Sequence, residues 1–477
     1  AALSRIRDFG THELGSTAWS YAKLLCEDQE LLQSISAAAM APMSAADGRD
    51  LAGLAWSFAT LANRDEPLLS AIAATAIARI SDFGSQELAG TAWSFAALPV
   101  RDGPLLAAIA SASIATLTEF DFQSLSMTAW SFAELSWADR PLLEALSAAA
   151  IAKLGDLGSE ADAPVVSLRC LSRALEAAGL LRGSALEEVA RALDRLALPL
   201  DSASGARGPP VQIPSRGLAA ECERPSLLAV DGEVAVLYKP PGWSAATAAE
   251  PGEGEGGPPP RGGRGRPLQG WLVAEFGAAH PIARDPGAQC GLVNRLDLDT
   301  SGALLWAGSY RGLFSAQLLF LARRVWKEYV CLCCGHPAPV PRLLTAPLLT
   351  KRVEAGGLLT TVSPLGRQAC TELLSAEHLL GPAEGGEEAF ALVRLRLHTG
   401  RTHQIRVHCA HLGAPLVGDT VYGDLTADNA FRDSLSAPAP PRRPMLHAWA
   451  LDVPHPRSGE ELSLRAPLPD DMRSVIS

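Results

Sequence analysis

The chain has 477 residues, too many for one ordinary hydrophobic core, so its length predicts two or more domains. Charged residues make up 19% and apolar residues 48%, which excludes a disordered chain, and no apolar run reaches the ~18–20 residues of a membrane helix. The net charge is −11, and the nine cysteines are scattered, which excludes a disulfide framework and favours reduced thiols in an intracellular compartment.

The first 198 residues contain an internal repeat. The sequence A-W-S-[FY]-A recurs every 37 residues, with its tryptophan at Trp19, Trp56, Trp93 and Trp130. The marker PLL recurs with the same step, from Pro67, Pro104 and Pro141. Each unit predicts a helical hairpin whose apolar face only a neighbouring unit can bury. Residues 1–198 are therefore predicted to form an all-α solenoid with the tryptophans packed between helices, and base-stacking platforms are the alternative.

The period and the W-[ST]-[FY]-A pattern resemble the octotricopeptide-like helical repeats of organellar RNA-binding proteins, over about residues 1–200. The resemblance implies binding of single-stranded RNA and a plastid or mitochondrial location, with cytoplasm and nucleus left open. Residues 1–200 hold 14 Lys and Arg against 24 Asp and Glu, a net of −10. Because phosphate contacts dominate nucleic-acid affinity, a protein partner of this acidic array is the alternative to RNA.

Two later segments are too rich in proline and glycine to form a core. Residues 199–222 are predicted to be a linker that ends the array. Residues 246–267, which contain GEGEGGPPPRGGRGR, are predicted to be a disordered surface insertion in the following domain. That domain, residues 223–475, changes to short strands and turns, such as the hairpin signal DG before VAVLY.

Asp297 lies in the stretch NRLDLDTSG, inside an otherwise apolar segment, where a charge is costly unless it is paired. Asp297 and Asp299 superficially resemble the D-x-D motif of aspartyl-phosphate phosphatases, but no nearby lysine or second acidic pair supports a Mg²⁺ site. A nucleophilic carboxylate beside an arginine is the other interpretation. The basic segment HTGRTHQIRVH offers Arg406 as that arginine.

Further segments complete a pattern around Asp297. The chain carries LYKPPGW, NRLDLDTSG, RRVWKEYV, GRTHQIRVH with GDTVYG, and PMLHAWAL, in this order between about residues 228 and 468. These segments resemble the motifs of the RluA-type family of pseudouridine synthases. The resemblance implies an α+β catalytic domain with a mixed, mainly antiparallel sheet, helices and a cleft that holds Asp297. It also implies an enzyme that isomerises uridines in structured RNA, tRNA or rRNA, without a metal or organic cofactor.

The resemblance also implies roles for individual residues. Asp297 would start the cleavage of the bond between ribose C1′ and uracil N1, Arg406 would pair with Asp297, and Tyr329 would stack on the uracil. Arg295 would fill the gap left by the flipped uridine. The remaining residues predicted to support the site or to contact substrate or RNA are Asn294, Lys239, Arg401, His403 and Gln404.

Two features depart from this pattern or lie outside it. Asn294 stands where the family usually has histidine; asparagine keeps a side-chain hydrogen bond but carries no charge, so we expect activity to survive with altered packing or target choice. Cys331 and Cys334 form a single C-x-x-C in a predicted strand, and without a second pair we predict no metal site. A catalytically weak RNA-binding or RNA-folding factor is the alternative function, and the oligomeric state is left open.

Overall fold

A computed structural model describes residues 6–24, 26, 28–135, 137, 139–153, 163–177, 179, 181, 183–203, 223–231, 233–245, 266–337, 340–353, 357–364, 366–383, 386–423, 443–454 and 460–476. The chain divides into two compact units, Ala1–Leu196 and Ala197–Ser477. Among the described residues, no helix combines the length and the apolar character that a membrane crossing requires.

The first unit is built from helical hairpins that repeat at the predicted step. The first helices of four hairpins begin 37 residues apart, as α1 Thr11–Lys23, α3 Gly48–Thr60, α5 Ser85–Ala97 and α7 Phe122–Glu134. The second helices keep this step, as α2 Gln29–Ala39, α4 Glu66–Ala78, α6 Gly103–Ala115 and α8 Arg140–Lys153. Each first helix packs against the first helix of the next unit. The predicted all-α repeat array is confirmed.

An aspartate caps the second helix of each of these hairpins. Its carboxylate accepts the backbone N–H three residues further on at 2.9–3.0 Å, in Asp28, Asp65, Asp102 and Asp139. A side-chain acceptor at this position satisfies an otherwise free N–H group and contributes about 1 kcal/mol to helix stability. Each repeat therefore specifies the start of its second helix through a local interaction.

The tryptophans of the repeat do not fill the core, so that part of the prediction is wrong. Trp19 is 47% exposed, and the other three, Trp56, Trp93 and Trp130, are half-buried. The core instead takes the aromatic residue two places later, which is 0–1% exposed in Phe58, Phe95 and Phe132. Two residues along a helix are about 200° apart around its axis, so an inward phenylalanine turns the tryptophan outward.

Two further helices follow the four hairpins, α9 Ala163–Ala177 and α10 Gly183–Ala203. The second of them runs through Pro199, so residues 199–203 are helical and the predicted start of the linker is wrong. Proline removes one backbone donor and kinks a helix, but the remaining turns can continue past it. Residues 204–222 of the predicted linker lie outside the described residues.

The second unit is an α+β domain whose described residues form a nine-stranded sheet. Its order is β1 Ser226–Asp231, β2 Val234–Lys239, β5 Ser301–Ala307, β12 Leu446–Pro454, β6 Trp326–Cys334, β11 Gly386–Leu397, β10 Thr371–Ala383 and β7 Arg342–Leu344, with β13 Glu461–Arg465 beside β12. The pairing of β5 with β12 is parallel, and the others are antiparallel. The predicted mixed, mainly antiparallel sheet is confirmed.

The described helices of this domain are α11 Leu268–Phe276, α12 Tyr310–Leu321, α13 Gln404–His411 and α14 Asp470–Ile476. Two small sheets pair β3 Trp243–Ser244 with β4 Arg266–Pro267 and β8 Leu348–Val353 with β9 Gly357–Val362. Residues 266–267 are therefore strand rather than part of a disordered insertion, because the N–H of Arg266 donates to the carbonyl of Gly242 at 3.0 Å. Residues 246–265 of the predicted insertion lie outside the described residues.

Gly302 permits the parallel pairing that places β5 beside β12. Its φ is +121°, and a Cβ at this position would lie 2.2 Å from the carbonyl oxygen of Ala448. An L side chain fits neither that conformation nor that space. The glycine of the TSG sequence therefore seats the segment that follows Asp297 against the centre of the sheet.

Candidate active site

Asp297 lies on the loop that leads into β5, at the first position of a tight turn. The N–H of Thr300 donates to the carbonyl of Asp297 at 3.1 Å and closes the turn. Thr300 is buried, whereas Asp297 and Asp299 are half-buried. The turn therefore fixes the backbone of Asp297 and leaves the residue partly open to solvent.

Lys239 donates a hydrogen bond to the next carbonyl of this turn, that of Leu298. Its ammonium group donates to the carbonyls of Leu298 and Trp243 at 2.8 Å and to that of Pro240 at 3.1 Å. An ammonium group has three N–H donors, so all of them are used inside the protein. Lys239 is also 1% exposed, which favours support of the site over contact with the RNA backbone.

Burial lowers the pKa of Lys239 to about 7, and the negative charges of Asp299 and Asp297 oppose this decrease. The three carbonyl acceptors also favour the charged form, because a neutral amine has only two N–H groups to donate. The carboxylates and the carbonyls thus both oppose the effect of burial on Lys239.

Arg443 holds the third carbonyl of the turn. It is 7% exposed, and its Nη1 donates to the carbonyl of Asp299 at 3.1 Å. Its Nε and Nη2 fork onto the carboxylate of Asp471 in α14, at 2.7 and 2.8 Å. The sequence around Arg443, PPRRP, carries no signal for this role, and the prediction missed it. The C-terminal helix therefore supports the turn of Asp297 through Arg443.

Arg406 is paired with Asp419, and its predicted pairing with Asp297 stays a prediction. Nε and Nη2 of Arg406 donate to the two oxygens of Asp419, each at 2.7 Å. The two side chains are 10% and 0% exposed. The N–H groups of Val421 and Tyr422 also donate to Asp419. Buried charges need both a counter-charge and hydrogen bonds, and this fork supplies both. Asp419 belongs to the GDTVYG segment, which is the signal that could have identified it.

The charge of Asp297 still acts on the predicted site residues. Burial raises the pKa of Tyr329, and Asp297 raises it further. Burial opposes the increase at Arg406, but the hydrogen bonds and charge of Asp419, followed by the charge of Asp297, raise the pKa of its guanidinium. Burial lowers the pKa of His403, with Asp297 acting in the opposite direction. Because such effects weaken with distance, these four residues share one site.

Tyr329 lies on β6 and is 7% exposed. Its raised pKa keeps the phenol protonated at neutral pH. Tyr329 therefore offers an aromatic face and a hydroxyl group to the site, and not a phenolate base. Stacking of its ring on uracil stays a prediction.

Gln404 is built into the protein. Its Oε1 accepts the hydroxyl of Thr399 at 2.8 Å and the N–H of Arg401 at 3.0 Å. Its Nε2 donates to the carbonyl of Cys370 and the hydroxyl of Thr371. The amide has no hydrogen-bonding capacity left, and the residue is 2% exposed, which favours support of the site over contact with the RNA backbone.

The other predicted RNA-contacting residues remain accessible to solvent. Arg295 is exposed, and Arg401 and His403 are half-buried. Arg401 donates from Nε to the carbonyl of Gln368 at 3.0 Å, and Nδ1 of His403 shares a hydrogen bond with the hydroxyl of Tyr422 at 2.9 Å. Contact of Arg295, Arg401 and His403 with RNA stays a prediction.

Asn294 fastens the loop of Asp297 to the sheet. Its Oδ1 accepts the N–H of Leu305 in β5 at 2.9 Å. Beside it, the N–H of Val293 donates to the carbonyl of Leu305 at 3.0 Å. The prediction that asparagine keeps a side-chain hydrogen bond is confirmed, and the partner is the protein's own backbone. Asn294 therefore positions the loop from which Asp297 projects.

Replacing Asn294 with leucine is expected to lower the free energy of unfolding by about 1–3 kcal/mol, because the N–H of Leu305 loses its acceptor. Asn294→Asp keeps an acceptor oxygen and is the matched control, with a smaller expected loss. Chemical denaturation of the three proteins gives both values. Equal losses in the two variants would contradict the assignment, since they would show that the oxygen does not matter.

Parts of the chain are similar to known proteins. Residues 233–411 match the family model of RNA pseudouridylate synthases, and residues 2–140 match that of the RNA-editing substrate-binding complex 6 protein. Ribosomal large subunit pseudouridine synthase D of Vibrio cholerae is 38% identical over 197 residues, which cover 40% of this chain and 56% of the relative. The Escherichia coli protein of the same name is 36% identical over 208 residues, which cover 41% of this chain and 57% of the relative.

Among solved structures, human RNA pseudouridylate synthase domain containing 1 is 27% identical, with a TM-score of 0.36, and the match covers 53% of this chain and 86% of that chain. The chain spans little more than half the length of the two curated relatives. The part that matches the family model includes Asp297, Tyr329 and Arg406. Residues 233–411 are thus similar to the RNA pseudouridylate synthases, in agreement with the RluA-type resemblance of the motifs.

Proposed function

We propose that the second unit is an RNA pseudouridine synthase that isomerises uridines in structured RNA, tRNA or rRNA. The observation that supports this proposal is how firmly the turn of Asp297 is held. Three successive carbonyls of its turn are held, those of Asp297, Leu298 and Asp299. A reacting group on so rigid a support needs little reorganisation when the reaction starts. The two relatives named for the large ribosomal subunit favour ribosomal RNA as the substrate.

The reaction is an isomerisation that needs neither a redox partner nor an energy donor. The bond between C1′ and N1 breaks, the uracil turns, and a bond between C1′ and C5 forms. The proton on C5 leaves, and N1 gains a proton, so atoms and electrons balance. Asp297 supplies the carboxylate that starts this sequence, Tyr329 packs its neutral ring against the base, and Arg406 supplies positive charge beside Asp297.

The test is a pseudouridine map of RNA treated with the full-length chain. Unmodified transcripts of ribosomal RNA and tRNA are incubated with wild type or with Asp297→Ala, and pseudouridines are mapped on each. Sites that the wild type forms and the variant does not form support the proposal. Binding of RNA without any new pseudouridine would favour the RNA-folding factor instead, and sites that the variant forms equally well would contradict a catalytic Asp297.

We further propose that the repeat array binds single-stranded RNA and that the protein acts in a plastid or mitochondrion. The accessible tryptophans favour this partner, because every base can stack on an aromatic ring. The Nζ of Lys23 lies 5.3 Å from the ring centre of Trp19 and 5.4 Å from that of Trp56. One cation thus reaches the rings of two successive repeats, so the tryptophans form a column along the stacked first helices.

A second column of residues accompanies the tryptophans. The residue seven places before each tryptophan is polar and exposed, as His12, Arg49, Gln86 and Gln123. Seven residues are close to two helical turns, so both columns lie on one face of the first helices. A constant aromatic residue beside a variable polar residue suits the stacking of a base and the recognition of its edge. The net charge of −10 predicts few phosphate contacts and therefore a weak salt dependence.

Replacing Trp56 and Trp93 together with alanine is expected to weaken the binding of single-stranded RNA by about 1–3 kcal/mol for each ring. Ile114→Ala, at a residue that is 43% exposed in α6, is the control and should leave affinity unchanged. Dissociation constants of the full-length proteins for labelled RNA, at several salt concentrations, give the comparison. Unchanged RNA binding after both tryptophan substitutions would contradict base stacking on these rings. The absence of RNA binding even at low salt would also contradict the proposal. Either result would favour a protein as the partner of the acidic array.

A further inference from the structure

Three cysteines meet beneath the candidate active site, and they are not the pair of the C-x-x-C pattern. Cys331 and Cys333 lie two residues apart on β6, so strand alternation places both side chains on one face, and Cys334 on the other. Cys409 of α13 meets the first two. The three sulfur atoms lie within 4.8 Å of one another, with Cys331 and Cys333 at 3.7 Å. The fold therefore assembles a triad that sequence spacing conceals.

The spacing of these sulfur atoms fits a thiolate-bound metal ion. Tetrahedral coordination with Zn–S bonds of about 2.3 Å holds two sulfur atoms about 3.8 Å apart. The three residues are 0–2% exposed, which is typical of an enclosed structural site. Thiolates select zinc and other soft ions over hard cations. Cysteines that only fill a core as small apolar residues have no reason to turn three sulfur atoms toward one point.

The charge balance favours a divalent ion. Three thiolates around a divalent ion leave a net charge of −1, whereas a monovalent ion leaves −2, and buried charge is costly. The neighbouring His408 is engaged elsewhere, through Thr371 and the carbonyl of Ala346. Among the described residues the protein therefore supplies three sulfur ligands to the ion.

We propose that Cys331, Cys333 and Cys409 bind a divalent, sulfur-preferring ion, Zn²⁺ in the cell. The ion ties β6 to α13, the strand of Tyr329 and the helix of Arg406, and so braces the two walls that carry these side chains. Sequence spacing predicted no metal site, because the third ligand is far away in the chain. The proposal is about metal binding and the stability of the fold, so its test does not depend on the proposed function.

The test is a metal titration of the reduced, metal-free, full-length chain under anaerobic conditions. Co²⁺ is expected to bind one ion per chain and to give a thiolate-to-cobalt charge-transfer band, which Zn²⁺ then displaces. Zn²⁺ is also expected to raise the midpoint of thermal unfolding by about 5 °C. Cys409→Ala should lose the band and the shift. Cys290→Ala, at a buried cysteine outside the triad, should keep both.

Zinc X-ray absorption of the wild type makes the test independent of whether Cys409→Ala folds. Three sulfur ligands on the bound ion support the site, and fewer than three overturn it. The absence of stoichiometric binding by the wild type also overturns it, as does undiminished binding by a folded Cys409→Ala protein.

Discussion

Replacing Asp297 with asparagine is expected to reduce the rate of pseudouridine formation by at least about 10⁴-fold. Asparagine keeps the size of the side chain but removes the negative charge and the oxygen that attacks or takes a proton. The turn is held through its backbone by Lys239 and Arg443, so the substitution should leave the fold intact. A single-turnover assay on an RNA that the wild type modifies measures the rate.

Asp299→Asn is the matched control, since Asp299 lies two residues further along the same turn. We expect its rate to remain close to that of the wild type, and we expect Asp297→Asn to bind RNA as tightly as the wild type does. Equal losses in the two variants would mean that the turn, and not one carboxylate, was disturbed. Full activity of Asp297→Asn would show that another group performs the first step of the reaction.

Replacing Asp419 with alanine is expected to lower the free energy of unfolding by about 3–5 kcal/mol, because Arg406 keeps its charge in a buried place without a partner. The pair of Asp452 and Arg465 is the control. It has the same separation of 2.7 Å, but its side chains are 21% and 44% exposed. Exposed pairs contribute at most about 1 kcal/mol, so Asp452→Ala should cost little. Denaturant titration of both variants gives the values.

A double substitution separates stability from activity at this pair. Arg406→Met combined with Asp419→Leu removes both charges and should recover much of the stability that Asp419→Ala loses. Activity should stay low, because the positive charge beside Asp297 is gone. A cost for Asp419→Ala as small as that for Asp452→Ala would contradict the role of the fork. Activity close to that of the wild type in the double variant would remove Arg406 from the chemistry.

Local patterns predicted the repeat array because the same pattern recurs every 37 residues. Within each repeat, the turn between the helices and the aspartate that caps the second helix depend on contacts between residues close in sequence. The same patterns did not tell which aromatic residue points inward. Trp56 and Phe58 lie on opposite faces of one helix, and only the packing of the neighbouring repeats decides which face is buried.

In the catalytic domain, the order of the motifs predicted that Asp297, Tyr329 and Arg406 belong to one site, and the charge of Asp297 raises the pKa of both other residues. The partners of these residues were harder to predict. Arg406 pairs with Asp419, thirteen residues later, and Arg443 supports a turn 144 residues earlier. The motifs left open whether Lys239 supports the site or the RNA backbone, and only the fold shows that its side chain is buried.

The sequence by itself determined the repeat step, the family motifs and the carboxylate of the proposed chemistry. Each of these is recognised from short patterns of residues that are close in the chain. Only the tertiary structure decided which charges are buried, what Asn294 holds, and that Cys409 meets Cys331 and Cys333. Those outcomes depend on residues that are distant in the chain and adjacent in space. A buried charged or polar group must find a counter-charge or hydrogen-bond partners among the residues that the fold brings near it.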